Sequence, residues 1–101
     1  MKSIQKQITP DSIMEAVGKY YGESVSDIKS QKRRPEKTVI ARQVAMYLIR
    51  KMLLLPILEI SAAFGKHHTA VLHSLKTTED QLETDGSLRK AVDDLCNIIT
   101  E

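Results

Sequence analysis

The segment ILEISAAFGKHHTAVLHSL, residues 57–75, carries most of the information about the fold of this chain. Two isoleucines and a phenylalanine at helical spacing precede Gly65, which can adopt the left-handed conformation that ends helices. The basic and polar cluster KHHT follows the glycine, and apolar residues at helical spacing follow the cluster. This pattern predicts a helix-turn-helix over about residues 56–83, in which the start of the second helix contacts base edges in the major groove of DNA.

The N-terminal part of the chain also has the pattern of helices. Thr9 followed by Pro10 is typical of a helix start, and the apolar stripe that follows ends near Gly22. Residues 24–30 allow one or two further helical turns. The stripe of the first helix consists of Ile13, Ala16, Val17, Tyr20 and Tyr21.

Two more helices are predicted on either side of the helix-turn-helix. A long helix is expected from about Glu36 to Leu53, and a last helix, capped by Ser87, follows a break at residues 85–87. No segment alternates with the period of two that is typical of strands. The sequence therefore predicts an all-α fold, a compact bundle of about six helices. The apolar side of the long helix consists of Ile40, Val44, Tyr47, Leu48 and Met52.

The length and composition are those of one small domain. The chain has 101 residues, which suffice for a single modest core, so we expect one helical domain over residues 8–101 after a tail at residues 1–7. Its one cysteine excludes an internal disulfide and suits a reducing cytosol. Because the longest apolar run, residues 52–59, is too short to span a bilayer, we expect a cytoplasmic protein.

Charge is distributed unevenly along the chain, although the net charge is only +2. Residues 32–51 carry seven basic residues and one acidic residue, whereas residues 77–101 carry two basic and seven acidic residues. A basic segment directly before a helix-turn-helix favours phosphate contacts that flank the base-reading element. The sequence therefore favours double-stranded DNA as the partner, with a location at the nucleoid.

Several residues of the basic segment are candidates for DNA contacts. Arg34 precedes a proline and is biased toward an extended backbone, as an arginine that enters the minor groove would be. A solvated loop arginine is the alternative. Arg42, Gln43 and Arg50 lie on the long helix away from its apolar side, where they either contact phosphate or keep that face soluble.

No pattern typical of a catalytic or metal site is present in the sequence. The three histidines, His67, His68 and His73, lack the carboxylate of a zinc-binding pattern such as H-E-x-x-H. There is no phosphate-cradling glycine loop and no nucleophile with a recognisable base. We therefore expect a protein that is not an enzyme and has no catalytic residue, cofactor or metal. His73 is expected to be partly buried or to contact phosphate.

Short motifs occur along the chain in an order known from one family. They are DIKS at 27–30, KRR at 32–34, ARQVAMYL at 41–48, LEI at 58–60, FG at 64–65 and HTAVLHS at 68–74. With these motifs, about residues 8–100 resemble the C-terminal DNA-binding domain of DnaA-type chromosomal replication initiators. The resemblance implies sequence-specific binding of DnaA-box-like sites in duplex DNA, in replication initiation or its regulation.

The resemblance also implies roles for individual residues. Arg34 matches the arginine of the basic loop that enters the minor groove. The readers of the major groove, at the start of the recognition helix, are matched by His67, His68, Thr69 and Ala70. Positions that contact the DNA backbone, or lie beside such contacts, are matched by Arg42, Gln43, Arg50 and Lys66.

The chain departs from the family pattern within the helix-turn-helix. Only Gly65 is present where the family usually has two glycines, and Ala70 replaces a threonine. His67 stands where most members have an aspartate, which caps the helix and can accept a hydrogen bond from cytosine N4. A histidine is a weaker cap, and it can donate or accept.

Two alternatives to this function remain open at the level of sequence. Leu53, Leu54 and Leu55 occupy a linker that is commonly polar, and they cannot all face one core. At least one is expected to be exposed, which favours weak self-association or a protein partner, so a protein-interaction module is the first alternative. A DNA-binding part of a transposon-type protein is the second. No segment of these residues resembles the initiators' ATPase module, so we expect either an excised domain or a free-standing paralogue.

Overall fold

The computed structural model describes residues 8–30 and 35–101, and within these ranges there are six α-helices and no strand. This confirms the predicted all-α bundle with its helix-turn-helix. No helix in the described part of the chain has both the length and the apolar character needed to cross a membrane. The helices are α1 (Pro10–Tyr21), α2 (Val25–Ile28), α3 (Glu36–Leu53), α4 (Ile57–Phe64), α5 (His68–Thr84) and α6 (Gly86–Thr100).

Helix α1 begins and ends where the sequence predicts. The Thr9 hydroxyl accepts a hydrogen bond from the Ser12 amide at 3.1 Å, and the Ser12 hydroxyl accepts one from the Thr9 amide at 2.9 Å. This reciprocal capping box satisfies two amides that the first turn would otherwise leave unpaired. At the other end, Gly22 has a φ of +73°, which only glycine adopts without steric cost.

The predicted apolar stripe on α1 missed Met14 and Gly18, which are both buried. The Glu23 amide donates to the Gly18 carbonyl at 2.8 Å, so the turn after the helix folds back directly onto its backbone. A Cβ added to Gly18 would lie only 2.5 Å from the Glu23 carbonyl oxygen. The glycine is therefore required for close packing rather than for a positive φ.

Helix α3 is the central element, because it contacts every other helix. Its bounds agree with the prediction, but its predicted apolar side is too narrow. A helix that is covered on several sides buries residues around more of its circumference than one stripe. The additional buried residues of α3 are Thr38, Ala41, Ala45, Met46 and Ile49, whereas Ile40, Tyr47 and Met52 are only partly buried.

Asp85 alone separates α5 from α6, and it caps α6. Its Oδ1 atom accepts a hydrogen bond from the Leu88 amide at 3.1 Å. The prediction that Ser87 is the cap is therefore wrong, since Ser87 lies in the first turn of the helix. A carboxylate at this position also interacts favourably with the positive end of the helix dipole.

An exposed polar cluster joins α6 to α1. Lys90 Nζ donates to Asp94 Oδ2 at 3.1 Å, and the Tyr20 hydroxyl donates to the same oxygen at 3.0 Å. These hydrogen bonds, that of Lys90 first and that of Tyr20 second, lower the pKa of the Asp94 carboxyl. Tyr20 was predicted on the apolar stripe of α1, but it lies at the edge of the core with its hydroxyl in this cluster.

Candidate nucleic-acid interface

The turn between α4 and α5 is held by hydrogen bonds from both backbone and side chain. Phe64 is buried and fixes the end of α4 to the core, and Gly65 ends the helix with a φ of +63°. The Lys66 amide donates to the Ser61 carbonyl at 3.0 Å, and the Ser61 hydroxyl donates to the Lys66 carbonyl. The start of α5 is thus positioned by a turn with little freedom to change its direction.

The N-cap and the first turn of α5 together present all four predicted base-reading residues to solvent. His67, His68, Thr69 and Ala70 are exposed, whereas the next residue, Val71, is fully buried. Val71 therefore anchors the helix while the residues before it remain accessible. The structure brings these four residues together at one end of one helix, which is the arrangement that a recognition helix requires.

His67 is the N-cap of α5 rather than a member of the helix. Its Nδ1 atom accepts a hydrogen bond from the Thr69 amide at 3.1 Å. The His67 and His68 rings are in contact in a tilted arrangement, with centroids 4.3 Å apart and planes inclined by 30°. The histidine thus performs the capping that an aspartate at this position would perform, and its ring has a defined orientation.

Arg42 has a structural role that sequence analysis did not predict. Its guanidinium donates to the Ile28 carbonyl at 2.8 Å and to the Ser30 carbonyl at 3.2 Å, with a longer hydrogen bond to the Asp27 carbonyl at 3.4 Å. These carbonyls lie at the end of α2 and directly before residues 31–34. Arg42 is half-buried, so the alternative that it only keeps an exposed face soluble is wrong.

Arg42 also brings positive charge close to the turn of the helix-turn-helix. Partial burial lowers the pKa of the Lys66 ammonium, and the nearby charge of Arg42 lowers that pKa further. Two cations from different elements, α3 and the turn, therefore lie close enough to repel each other. Such a pair is stabilised by any anion that approaches both groups. Gln43, the neighbour of Arg42 on α3, is half-buried.

Arg50 lies at the opposite end of α4 from Arg42. It is exposed, and its guanidinium donates to the Leu55 carbonyl at 2.6 Å, which ties α3 to the linker before α4. Eight residues separate the two arginines, which is about 12 Å along a helix that rises 1.5 Å per residue. Positive charge on α3 thus flanks both ends of α4.

Arg34 and His73 are the remaining residues for which the sequence predicts a role. Arg34 lies outside the described residues, although both flanks are described: Arg42 binds the Ser30 carbonyl, and the Pro35 carbonyl accepts from the Thr38 amide at 3.0 Å. His73 is exposed, so the first of its two expected roles, a partly buried residue, is wrong, and a phosphate contact stays a prediction. Over the described ranges, no group of three or more histidine, cysteine or acidic residues could hold a metal ion.

The three successive leucines divide as expected between core and surface. Leu53 and Leu55 are partly buried and pack against the core, whereas Leu54 is 74% exposed. Leu54 also has a φ of +55°, the left-handed conformation that is unfavourable for a leucine. Near this linker, a groove of about 550 Å³ lies between α3, α4 and α5, and its walls include Tyr47, Arg50, Ile57, Leu72 and Lys76.

Known proteins are similar to this chain over most of its length. The family model described as the bacterial DnaA protein helix-turn-helix matches residues 10–77, from the start of α1 into α5. The chromosomal replication initiator protein DnaA of Treponema denticola is 39% identical over 98 residues, which are 96% of this chain and 21% of that protein. The protein of the same name from Thermomicrobium roseum is 37% identical over 92 residues, 90% of this chain and 20% of that protein.

A solved structure is similar in fold as well as in sequence. This crystal structure of a DNA replication initiation factor matches with a TM-score of 0.74 and 35% sequence identity, over 90% of this chain and 29% of that chain. The chain thus spans about a fifth of the length of the curated relatives it matches.

Proposed function

Because this chain belongs to the bacterial DnaA helix-turn-helix family, we propose that it binds double-stranded DNA sequence-specifically, at DnaA-box-like sites, in replication initiation or its regulation. In this proposal the first turn of α5 enters the major groove while α4 crosses the DNA backbone. The observation that carries the proposal is the exposed group of His67, His68, Thr69 and Ala70 directly before the buried anchor Val71.

Phosphate contacts are assigned to the positive charges beside α4. Lys66 follows the C-terminal end of α4 and is near enough to Arg42 for the charge of the arginine to lower its pKa, so a phosphate that contacted both groups would offset this repulsion. Arg50 would contact a second phosphate near the other end of α4, and Gln43 lies beside Arg42 as a further backbone contact. Such contacts position the protein on the duplex without specifying a sequence.

Arg34 is assigned to the minor groove, because it lies in the basic segment directly before Pro35. An arginine there would read the edge of the binding site through groove width and base contacts. Replacing it with alanine should weaken specific binding by about 1–3 kcal/mol and relax the preference at one edge of the site. An unchanged base preference would contradict the minor-groove contact and favour the alternative that Arg34 is a solvated loop residue.

The experiment that tests this function is selection of bound sequences from a pool of random duplexes. We expect one ordered site to be enriched, with its strongest preferences at adjacent base pairs that a helix N-terminus could contact. Failure to enrich any sequence over the starting pool, while the protein remains folded, would contradict sequence-specific binding.

A salt titration tests the phosphate contacts separately. The logarithm of the binding constant falls with the logarithm of salt concentration by about 0.9 for each phosphate contact on duplex DNA. We expect Lys66→Ala and Arg50→Ala to reduce this slope by about one unit each, for all sequences alike. Lys90→Ala, which removes an exposed lysine on α6, is the matched control and should leave the slope unchanged. Equal slopes in all four proteins would refute the assigned contacts.

A weak protein contact at Leu54 is a second candidate function, favoured by its 74% exposure in a strained backbone conformation. Strain of this kind is retained where surroundings or function require it. We expect weak self-association, or a protein partner, that Leu54→Ser reduces. Sedimentation at high concentration tests the first of these, and a monomer that the substitution leaves unaltered would remove it.

The proposal includes no catalytic step, and it places the protein at the nucleoid in the cytoplasm because its ligand is chromosomal DNA. The matched relatives are named as replication initiators, which supports replication over the transposon-type alternative.

A further inference from the structure

The two ring nitrogens of His67 have different hydrogen-bonding tasks. Nδ1 lies 3.1 Å from the Thr69 amide nitrogen. A backbone amide can only donate, so Nδ1 accepts this bond and carries no proton. A neutral imidazole has one protonated nitrogen, which must then be Nε2. The capping bond therefore selects the tautomer whose other nitrogen is a donor.

The ring has little freedom to exchange these tasks. The His67 backbone is held in the extended N-cap conformation, with φ −65° and ψ 146°, and its carbonyl accepts from the Val71 amide at 3.2 Å. The ring also contacts the His68 ring in a tilted arrangement, at a centroid distance of 4.3 Å. Turning Nδ1 outward would break the capping bond and leave the Thr69 amide without its acceptor.

We infer that His67 reads DNA only as a hydrogen-bond donor, through Nε2, and that the base it contacts is one that offers an acceptor in the major groove and not cytosine. This inference rests on the proposed function, because it assumes that the first turn of α5 enters the major groove. It deepens that function by assigning the chemical polarity of one specificity-determining contact.

The polarity follows from the groups that each base presents in the major groove. Guanine offers two acceptors, O6 and N7, and thymine offers O4, whereas cytosine offers only the donor N4. Adenine carries both an acceptor, N7, and a donor, N6, so a histidine that donates can bind it as well. Opposite cytosine, Nε2–H would face another donor, and both groups would lose their hydrogen bonds to water without replacement.

This result changes an expectation from the sequence. A neutral histidine in isolation can accept from cytosine N4, as the aspartate common in the family can. In this structure the only acceptor of the ring is occupied by the Thr69 amide. Protonation of the ring would not restore an acceptor, since the charged imidazole has two donors. His67 is thus opposite in polarity to that aspartate.

Two substitutions of nearly equal size separate polarity from shape. In His67→Asn and His67→Asp, one side-chain oxygen can accept from the Thr69 amide, because both residues are good N-caps. The remaining outward group is an amide donor in asparagine and a carboxylate acceptor in aspartate. A third variant, His67→Ser, keeps a cap but has no group that reaches outward. Thermal unfolding of all four proteins checks that the fold is retained.

Random-duplex selection with the four proteins then tests the inference. At the base position that responds to His67 substitution, wild type and His67→Asn should deplete cytosine by about fivefold or more relative to the bases that offer an acceptor, the ratio for about 1 kcal/mol per mismatched base. His67→Asp should enrich cytosine there, and His67→Ser should have no preference. The inference would be overturned if wild type enriched cytosine. It would also be overturned if His67→Asn and His67→Asp enriched the same base, or if no base position responded to the substitutions.

A measurement without DNA separates this inference from the proposed function. Long-range nitrogen–proton NMR spectra at pH 8 distinguish the two neutral tautomers of a histidine, and we expect His67 to carry its proton on Nε2. A proton on Nδ1 would overturn the inference even if DNA binding were sequence-specific. If none of the four proteins enriches a site although the Nε2 proton is found, the proposed function fails and the base assignment fails with it.

Discussion

Replacing Arg42 with alanine should both destabilise the fold and weaken DNA binding. The guanidinium donates to the Ile28 carbonyl at 2.8 Å and to the Ser30 carbonyl at 3.2 Å, and these bonds hold the end of α2 against α3. A hydrogen bond from a charged donor contributes about 1.5–3 kcal/mol when buried. Because the side chain is only half-buried, each bond is taken to contribute about 1 kcal/mol, and we expect a loss of about 2 kcal/mol in the free energy of unfolding. For a domain of this size, the Tm should fall by about 8–16 °C.

Lysine at the same position separates the two roles of Arg42. Arg42→Lys keeps the charge but lacks the planar fork that reaches both carbonyls. We expect it to lose about half of the stability that Arg42→Ala loses, while its salt slope for DNA binding stays at the wild-type value. Arg42→Ala should lower that slope by about 0.9. Urea unfolding measures the free energy, and fluorescence anisotropy with a labelled duplex measures the slope.

Either of two results would refute this description of Arg42. If Arg42→Ala unfolds at the same urea concentration as wild type, the bonds to the Ile28 and Ser30 carbonyls do not stabilise the fold. If Arg42→Lys lowers the salt slope as much as alanine does, the arginine does not act on phosphate through its charge.

Three further predictions concern stability. Gly18→Ala should destabilise the fold by about 1–3 kcal/mol in urea unfolding, despite the higher helix propensity of alanine, because the new Cβ would lie 2.5 Å from the Glu23 carbonyl oxygen. Gly86→Ala is the control, because a Cβ at that position meets nothing within 4 Å. Equal effects of the two substitutions would contradict the close packing at Gly18. Leu54→Gly should raise the free energy of unfolding by about 0.5–1 kcal/mol because it relieves a φ of +55°, and a loss of stability would show that the exposed side chain contributes to the fold. Because the pKa of Asp94 is lowered in the folded protein, its carboxylate stabilises the fold above the pKa of the unfolded chain, and this stabilisation is lost as pH falls through the lower folded value. The difference in free energy of unfolding between wild type and Asp94→Asn should therefore shrink in acid. A difference that grows in acid would contradict this.

Helix boundaries could be predicted from the sequence because they depend on local chemistry. The capping pair at Thr9 and Ser12 and the left-handed glycines at 22 and 65 act within one turn of the chain. The exposure of the α5 start also followed from local spacing, since an apolar anchor comes directly after the polar cluster. The cap of α6 was mispredicted because Asp85 and Ser87 are both good N-caps, and the choice depends on where α5 ends.

Contacts between distant parts of the chain were not predictable in the same way. Arg42 is fourteen residues from the Ile28 carbonyl that it binds, and the repulsion between Arg42 and Lys66 joins residues of two separate elements. Nothing in the spacing of Ser61 distinguishes it from any other small residue of α4, although its hydroxyl holds the recognition turn. The acceptor role of His67 Nδ1 likewise required the position of the Thr69 amide.

Competition between two duplexes tests sequence-specific binding most directly. One contains the selected site and the other the same base pairs in scrambled order, and both are titrated at 0.15 M salt and at a lower salt concentration. Because the phosphate contacts are common to both duplexes, the salt slopes should be similar while the selected site binds about 10³-fold more tightly or better. Equal affinities for the two duplexes at both salt concentrations would contradict base reading by the first turn of α5.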